Sequence, residues 1–156
     1  MNQPMSTPED RLADLGLSVP DVAKPVAAYV PALRSGNHVF TSGQLPMRDG
    51  QLMLTGKVGG EVTQEEAVEC ARQCALNALA AVRAEVGELS AVKRIVKVVA
   101  FVASTPDFTA QPLVANGVSE LLGEAFGEAG RHARSAVGVN VLPLDSPVEV
   151  ELVVEV

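Results

Sequence analysis

The stretch RHARSAVGVNVLPLDSPVEVELVVEV, from Arg131 to Val156, decides the fold of this chain. Its many β-branched residues predict two strands, over 134–142 and 148–156, and the short loop PLDSP between them favours a hairpin. Along the second strand, apolar residues alternate with three carboxylates at a period of two, which are Glu149, Glu151 and Glu155. Because side chains alternate between the faces of a strand, one face is predicted to be apolar and the other acidic.

Two long helices and a buried strand are predicted immediately upstream. The sequence Thr63-Gln64-Glu65-Glu66 is a capping box, which predicts a helix that continues to Gly87. A second helix is predicted over Gln111–Phe126 from its apolar periodicity. Between the helices, Ile95–Ala103 is apolar at nearly every position, which is typical of a central strand covered on both faces.

The N-terminal half predicts a short helix followed by three short strands. Thr7 caps the helix over 8–15, and strands are expected over 29–33, 38–42 and 51–54, with Pro31 placing the first of them at a sheet edge. The resulting order, β-β-β-α-β-α-β-β, predicts an α+β fold with one β-sheet and two helices on one of its faces. We divide the chain into an N-terminal extension with the short helix, 1–25, and a domain, 26–156.

One face of this predicted sheet has nothing to cover it. The Ile95–Ala103 strand is apolar on both faces, and Val153 interrupts the glutamates of the last strand. Two helices on one side leave the apolar residues of the other side exposed, and a patch of that size marks an interface. The sequence therefore predicts that the chain forms oligomers.

Composition restricts the partners of the chain. The chain has 156 residues, a formal net charge of −7 and a pI near 4.8, which disfavours nucleic acid and anionic membranes as partners. No apolar run approaches the roughly 20 residues of a membrane-spanning helix, and the N-terminal residues do not resemble a signal peptide. We expect a protein of the cytoplasm.

Several reactive side chains permit more than one interpretation. Cys70 and Cys74 lie one helical turn apart and are predicted to be buried apolar residues without a catalytic role. His132 is predicted to be a loop histidine exposed to water. Arg134 begins a strand, where its guanidinium can bind a carboxylate through two hydrogen bonds, or can form a structural ion pair with Glu149 as the candidate partner.

A combination of short motifs resembles one known family. The motifs are Y-V-P at Tyr29, T-S-G-Q-L-P at Thr41–Pro46, Asp107-Phe108, A-R-S at Ala133–Ser135, Leu142-Pro143 and V-E-V-E at Val148–Glu151. In this order and spacing the sequence is similar to the Rid/YjgF family of reactive intermediate deaminases, also called L-PSP endoribonucleases. The resemblance implies a chorismate-mutase-like fold and a homotrimer with clefts between subunits. It also implies that the last two strands need not form a hairpin.

The resemblance implies roles for individual residues. Arg134 resembles the arginine that binds the substrate carboxylate, and Glu149 resembles the glutamate that positions the attacking water. The other positions that match the substrate-binding cleft are Tyr29, Ser42, Gly43, Gln44, Ala136 and Asn116. The match of Asn116 requires a three-residue insertion, and Ala136 stands where family deaminases often have cysteine.

Three functions follow as hypotheses. The first is hydrolytic deamination of 2-imino or enamino acids to 2-keto acids and ammonia, which requires a held carboxylate and an oriented water but no metal or cofactor. The second is a non-catalytic trimer that binds small carboxylates. The third is an endoribonuclease, which the net charge and the two unpaired histidines, His38 and His132, disfavour. A small carboxylate-bearing imine or keto acid is the expected ligand.

Overall fold

The computed structural model describes residues 6–22 and 28–156. In chain order the helices are α1 (Pro8–Asp14), α2 (Gln64–Val86) and α3 (Gln111–Phe126). The strands are β1 (Ala32–Ser35), β2 (His38–Thr41), β3 (Met47–Arg48), β4 (Gln51–Leu52), β5 (Arg94–Ala103), β6 (Ala133–Val139) and β7 (Val148–Glu155). This is the predicted α+β class, with three helices and a mixed sheet.

The helices form where capping predicted them. Thr7 and Thr63 each accept a hydrogen bond from the backbone N–H three residues on, and Asp10 and Glu66 return the bond to the N-cap, so both capping boxes are complete. The helix α1 packs against α3, and its Leu12 is fully buried. The short N-terminal helix is therefore part of the same packed layer as the two long helices.

The five-stranded sheet has the order β1-β2-β7-β5-β6, in which β5 lies between the last two strands of the chain. The strand β7 is antiparallel to β5, whereas β6 is parallel to β5. The hairpin that the loop of 143–147 favoured is therefore wrong, since β6 and β7 do not pair with each other. The ten-residue strand β5 pairs with β7 along one edge and with β6 along the other. The backbone hydrogen bonds of these two pairings outweigh the preference of the five-residue loop for a β6–β7 hairpin.

The predicted third strand is not in this sheet. Only Gln51–Leu52 is extended, and it pairs with β3 in a separate two-stranded hairpin across a turn in which Asp49 and Gly50 have positive φ. The first strand begins at Ala32, after Pro31, and lies at the sheet edge as predicted. The predicted domain boundary at 25 and 26 lies outside the described residues and stays a prediction.

The two faces of the sheet differ in what covers them. The helices α2 and α3 pack on one face, where the alternate β7 residues Val148, Val150, Leu152 and Val154 are buried. No described element covers the other face, which we call the open face. It carries Leu33, Phe40, Val99, Phe101, Val137 and Val153, of which Leu33 is 52% exposed, Phe40 45% and Val137 43%. The apolar face that the sequence predicted is present.

Within the described ranges, no helix is long and apolar enough to span a membrane.

Candidate functional site

The end of β2 is irregular, and the irregularity lies beside Glu149. The backbone of Phe40 pairs with Val153, and the next paired residue on this side, Gln44, faces Val150. Between these two pairs, three residues on one strand (41–43) therefore face two on the other (151–152), which is a β-bulge. Within the bulge, Gly43 lies so close to the Glu149 side chain that a Cβ at this position would overlap Oε1. A side chain at position 43 would therefore have to displace the Glu149 carboxyl.

Glu149 is half-buried on the open face, where it pairs across the sheet with Phe101. Burial raises the pKa of the Glu149 carboxyl above its ordinary value, and repulsion from Glu151 raises it further. A raised pKa makes the ionised carboxylate a stronger base than a solvent-exposed glutamate. The arrangement therefore suits a group that accepts a proton from water.

Three further predicted residues lie in this part of the structure. The hydroxyl of Ser42 donates to the Val30 carbonyl at 2.5 Å, and the Ser42 backbone N–H donates to the Pro31 carbonyl, so these bonds hold the segment that carries the exposed Tyr29 beside the bulge. Gln44 is buried and exchanges two backbone hydrogen bonds with Val150. We call the following set the glutamate half-site: Tyr29, Ser42, Gly43, Gln44 and Glu149.

Arg134 lies elsewhere, on the helix-covered face of the edge strand β6. Its Nη1 donates to Asn116 Oδ1 at 2.8 Å and to Ser119 Oγ at 3.1 Å. Its Nη2 donates to the Pro112 carbonyl at 3.4 Å. The ion pair with Glu149 that we considered is therefore wrong, because the acceptors of Arg134 are neutral groups of α3 and Glu149 lies on the opposite face.

These contacts leave one edge of the guanidinium for a ligand. Nη1 uses both of its hydrogens and Nη2 uses one, whereas Nε–H and the second Nη2 hydrogen have no partner among the described residues. In a guanidinium, Nε–H and the Nη2 hydrogen beside it point in parallel from the same side of the planar group, which is the geometry that binds a carboxylate through two hydrogen bonds. The half-buried side chain of Arg134 is held by α3, while its Nε–H has no partner among the described residues.

Ala136 follows Arg134 on the same face and is partly buried against the core. Gly138, the next residue on that face, is covered by Gln111, whose Nε2 would lie 2.8 Å from a Cβ at position 138 and donates to the Phe108 carbonyl. We call the following set the arginine half-site: Arg134, Asn116, Ser119 and Ala136.

Within one chain the two half-sites cannot act on the same small molecule. The side chain of Arg134 is on the helix-covered face, where it is paired in register with Val98. The side chain of Glu149 is on the open face, and β5 separates the two strands. A ligand that contacts both residues therefore requires the arginine half-site of one chain and the glutamate half-site of another.

Two residues of this region were not recognised from the sequence. His132 is half-buried, and its Nε2 lies 2.9 Å from Ser119 Oγ while its Nδ1 lies 2.7 Å from the Gly130 carbonyl oxygen. His132 lies in the loop before β6 as predicted, but the prediction that its ring is exposed to water is wrong, because both ring nitrogens have protein partners. Ser119 lacked any signal, since only the folded chain brings it to His132 and Arg134.

Other features of the described residues do not suggest a second reactive centre. Two surface depressions, of about 550 and 640 Å³, adjoin the β3–β4 hairpin, and the arginine half-site borders one of about 350 Å³. Cys70 and Cys74 are free and buried on α2, as predicted, and burial raises the pKa of the Cys70 thiol to about 11. A thiol with such a pKa is protonated at neutral pH and is a poor nucleophile.

Comparison with known proteins adds independent findings. The sequence model of the family described as "YjgF/chorismate_mutase-like, putative endoribonuclease" matches residues 9–156. Protein TCP17 of Trypanosoma cruzi is 46% identical over 92% of this chain and 91% of its own. A 2-iminobutanoate/2-iminopropanoate deaminase of Dermatophagoides farinae is 33% identical over 88% of this chain and 93% of its own. The structure of E. coli TdcF with bound serine superimposes with a TM-score of 0.65, at 25% identity, over 86% of this chain and 93% of that chain.

Proposed function

The chain belongs to the Rid/YjgF family, and from this membership and the site geometry we propose that it hydrolyses reactive 2-imino and enamino acids to 2-keto acids and ammonia. The observation that carries the proposal is the guanidinium of Arg134. It is held by three acceptors of α3, and its Nε–H, which has no partner among the described residues, lies on the edge that can bind a carboxylate. The imino-acid deaminase among the relatives supports the choice of substrate class, and the serine-bound structure shows that a related fold holds a small amino acid.

The proposed reaction uses each half-site for one task. Arg134 binds the substrate carboxylate, which fixes the position of C2. Glu149 accepts a proton from a water molecule as its oxygen attacks C2 of the protonated imine, and a C–O bond forms while the C=N π electrons move to nitrogen. Glu149 then passes this proton to the nitrogen, the C–N bond breaks as the carbonyl forms and ammonia leaves, and the hydroxyl proton passes to the Glu149 carboxylate. The chain supplies positioning and a base for these steps.

We propose that the active form is a homotrimer with the site between subunits. The separation of the two half-sites on opposite faces of one chain supports this, because a second chain must complete the site. The uncovered apolar residues of the open face support it independently, since exposed patches of this kind mark interfaces. We expect the protein to act in the cytoplasm, where free thiols such as those of Cys70 and Cys74 stay reduced.

The trimer can be tested by the mass of the protein in solution. Light scattering coupled to gel filtration should give about three times 16.2 kDa. Phe40→Glu places a charge on the open face and should shift the mass toward that of the monomer. Leu15→Glu is the matched control, because Leu15 is equally exposed but lies at the end of α1. A monomeric wild type would contradict both the trimer and the shared site.

The activity can be tested with freshly generated imines of several amino acids. The protein should accelerate the release of the 2-keto acid and ammonia above the rate in buffer alone. Binding of pyruvate without any acceleration would instead support a non-catalytic trimer that binds small carboxylates. Cleavage of RNA by a preparation that neither hydrolyses the imines nor binds pyruvate would support an endoribonuclease. The net charge of −7 disfavours this function.

A further inference from the structure

A chain of hydrogen bonds connects Arg134 to the loop that precedes β6. Nη1 of Arg134 donates to Ser119 Oγ at 3.1 Å, and this oxygen lies 2.9 Å from His132 Nε2. We infer that His132 is a positioning residue, which orients the Ser119 hydroxyl and through it the guanidinium of Arg134. The inference rests on the proposed role of Arg134 in binding the substrate carboxylate.

The tautomer of His132 follows from its neighbours. Nδ1 lies 2.7 Å from the Gly130 carbonyl oxygen, and a carbonyl oxygen only accepts hydrogen bonds. Nδ1 therefore carries the proton, and in the neutral ring Nε2 is an acceptor. The hydroxyl of Ser119 has a single hydrogen, which it donates to Nε2. Its oxygen then presents a lone pair to Nη1 of Arg134, so the direction of donation runs from Arg134 through Ser119 to His132.

The ring of His132 is itself held in place by the backbone. Gly130 lies so close to the C-terminal turn of α3 that a Cβ at this position would overlap the carbonyl oxygen of Leu122. The carbonyl group of Gly130 is therefore fixed relative to α3, and the Nδ1 bond fixes the ring in turn. In proteins, a hydrogen bond to one ring nitrogen of a histidine commonly fixes the tautomer and orientation with which the other nitrogen acts.

Without His132, the hydroxyl group of Ser119 would no longer be held in one orientation. A serine inside a helix readily turns its hydroxyl toward the carbonyl four residues earlier, which here belongs to Ala115. Asn116 lies one turn before Ser119 on the same side of α3, and together they bind both hydrogens of Nη1. With only Asn116 left to bind Nη1, the Nε edge of the guanidinium would be less well fixed for a carboxylate.

Calorimetric titration with pyruvate, on the full-length protein, tests the inference. Ser119→Ala and His132→Ala should each raise the dissociation constant about two- to tenfold, the range expected for losing one hydrogen bond. His132→Gln should bind within about twofold of the wild type, because its side-chain oxygen can accept from Ser119 where Nε2 did. His38→Ala is the matched control, since His38 lies at the start of β2 and forms no hydrogen bond with Ser119 or Arg134 among the described residues.

Two results would overturn the inference while the proposed function stands. The first is that folded His132→Ala binds pyruvate with wild-type affinity although Arg134→Lys binds it more weakly. The second is that His132→Gln binds pyruvate as weakly as His132→Ala. If the wild type does not bind pyruvate, the proposed function fails.

Long-range proton–nitrogen NMR then tests the role of His132 without a ligand. An unprotonated Nε2 in His132, together with Nη1 signals of Arg134 that broaden in His132→Ala, supports the inference. A proton on Nε2 in the neutral ring contradicts it.

Discussion

Glu149→Gln is expected to lower turnover of 2-imino acids by about two to four orders of magnitude, the usual contribution of a general base. Glutamine keeps the shape of the side chain above Gly43 but cannot accept a proton from water. The dissociation constant of pyruvate should stay within about threefold, because the ligand carboxylate is bound by Arg134. Steady-state kinetics on one freshly generated imine, combined with calorimetry, measures both quantities.

The matched control for this variant is Glu151→Gln. Glu151 lies two residues along β7 on the same face but away from Gly43, so its removal should leave turnover at neutral pH nearly unchanged. A similar loss of turnover in both variants would show that the acidity of the strand, and not Glu149, sustains the reaction.

The pH dependence of turnover gives a second test of Glu149. The base is active when ionised, so turnover should fall as pH decreases through its pKa, and burial places that pKa above the ordinary glutamate value. Repulsion from Glu151 contributes to the rise, so Glu151→Gln should move the acid limb to lower pH. Glu149→Gln should abolish the limb. A limb that persists in this variant belongs to another group.

Stability separates a catalytic Glu149 from a structural one. A carboxyl whose pKa is raised in the folded state favours folding in its protonated form, and this contribution is lost as pH rises through the folded pKa. Ionised Glu149 therefore opposes folding at neutral pH. The melting temperature of Glu149→Gln should be equal to or above that of the wild type, and a clear decrease would indicate a structural role.

The helices could be predicted because their signals are local. Thr63 and Glu66 are three residues apart, and the capping box that they form defines the start of α2 without reference to the rest of the chain. Periodicity gave the bounds of α3 in the same way. The apolar residues of β5 and β7 also indicated correctly that one sheet face lacks a cover.

Strand pairing could not be predicted because it depends on distant residues. The loop 143–147 favoured a hairpin, but the choice between β6 and β5 as partners of β7 depends on the total pairing that each arrangement allows. The strand predicted over 51–54 is likewise absent from the main sheet, because sequence alone does not show which partner a two-residue strand such as β4 will pair with. Local patterns specify elements better than they specify register.

The site shows the same limit. A-R-S and V-E-V-E pointed to Arg134 and Glu149, but not to the opposite faces on which they lie. Ser119 and His132 are thirteen residues apart, and only the packing of α3 against the start of β6 places them in contact. Asn116, which the sequence matched only through an insertion, is a direct neighbour of Arg134.

Arg134→Lys is expected to raise the dissociation constant of pyruvate about ten- to hundredfold, the range expected for one lost hydrogen bond to a charged group. Lysine keeps the positive charge but lacks the planar edge formed by Nε and Nη2, and an ammonium group cannot reproduce two parallel bonds to a carboxylate. It also cannot satisfy Asn116, Ser119 and the Pro112 carbonyl together, so a small decrease in melting temperature should accompany the loss of affinity.

The neighbouring arginine provides the matched control. Arg131→Lys makes the same chemical change three residues earlier, where the side chain is exposed and contacts the exposed Glu128, so neither affinity nor stability should change measurably. Calorimetric titration with pyruvate and a thermal melt on both variants separate the two roles of Arg134. Wild-type affinity in Arg134→Lys together with a large decrease in melting temperature would show that Arg134 only ties β6 to α3. The ligand carboxylate would then have to bind elsewhere, and the division of the site between two chains would lose its main support.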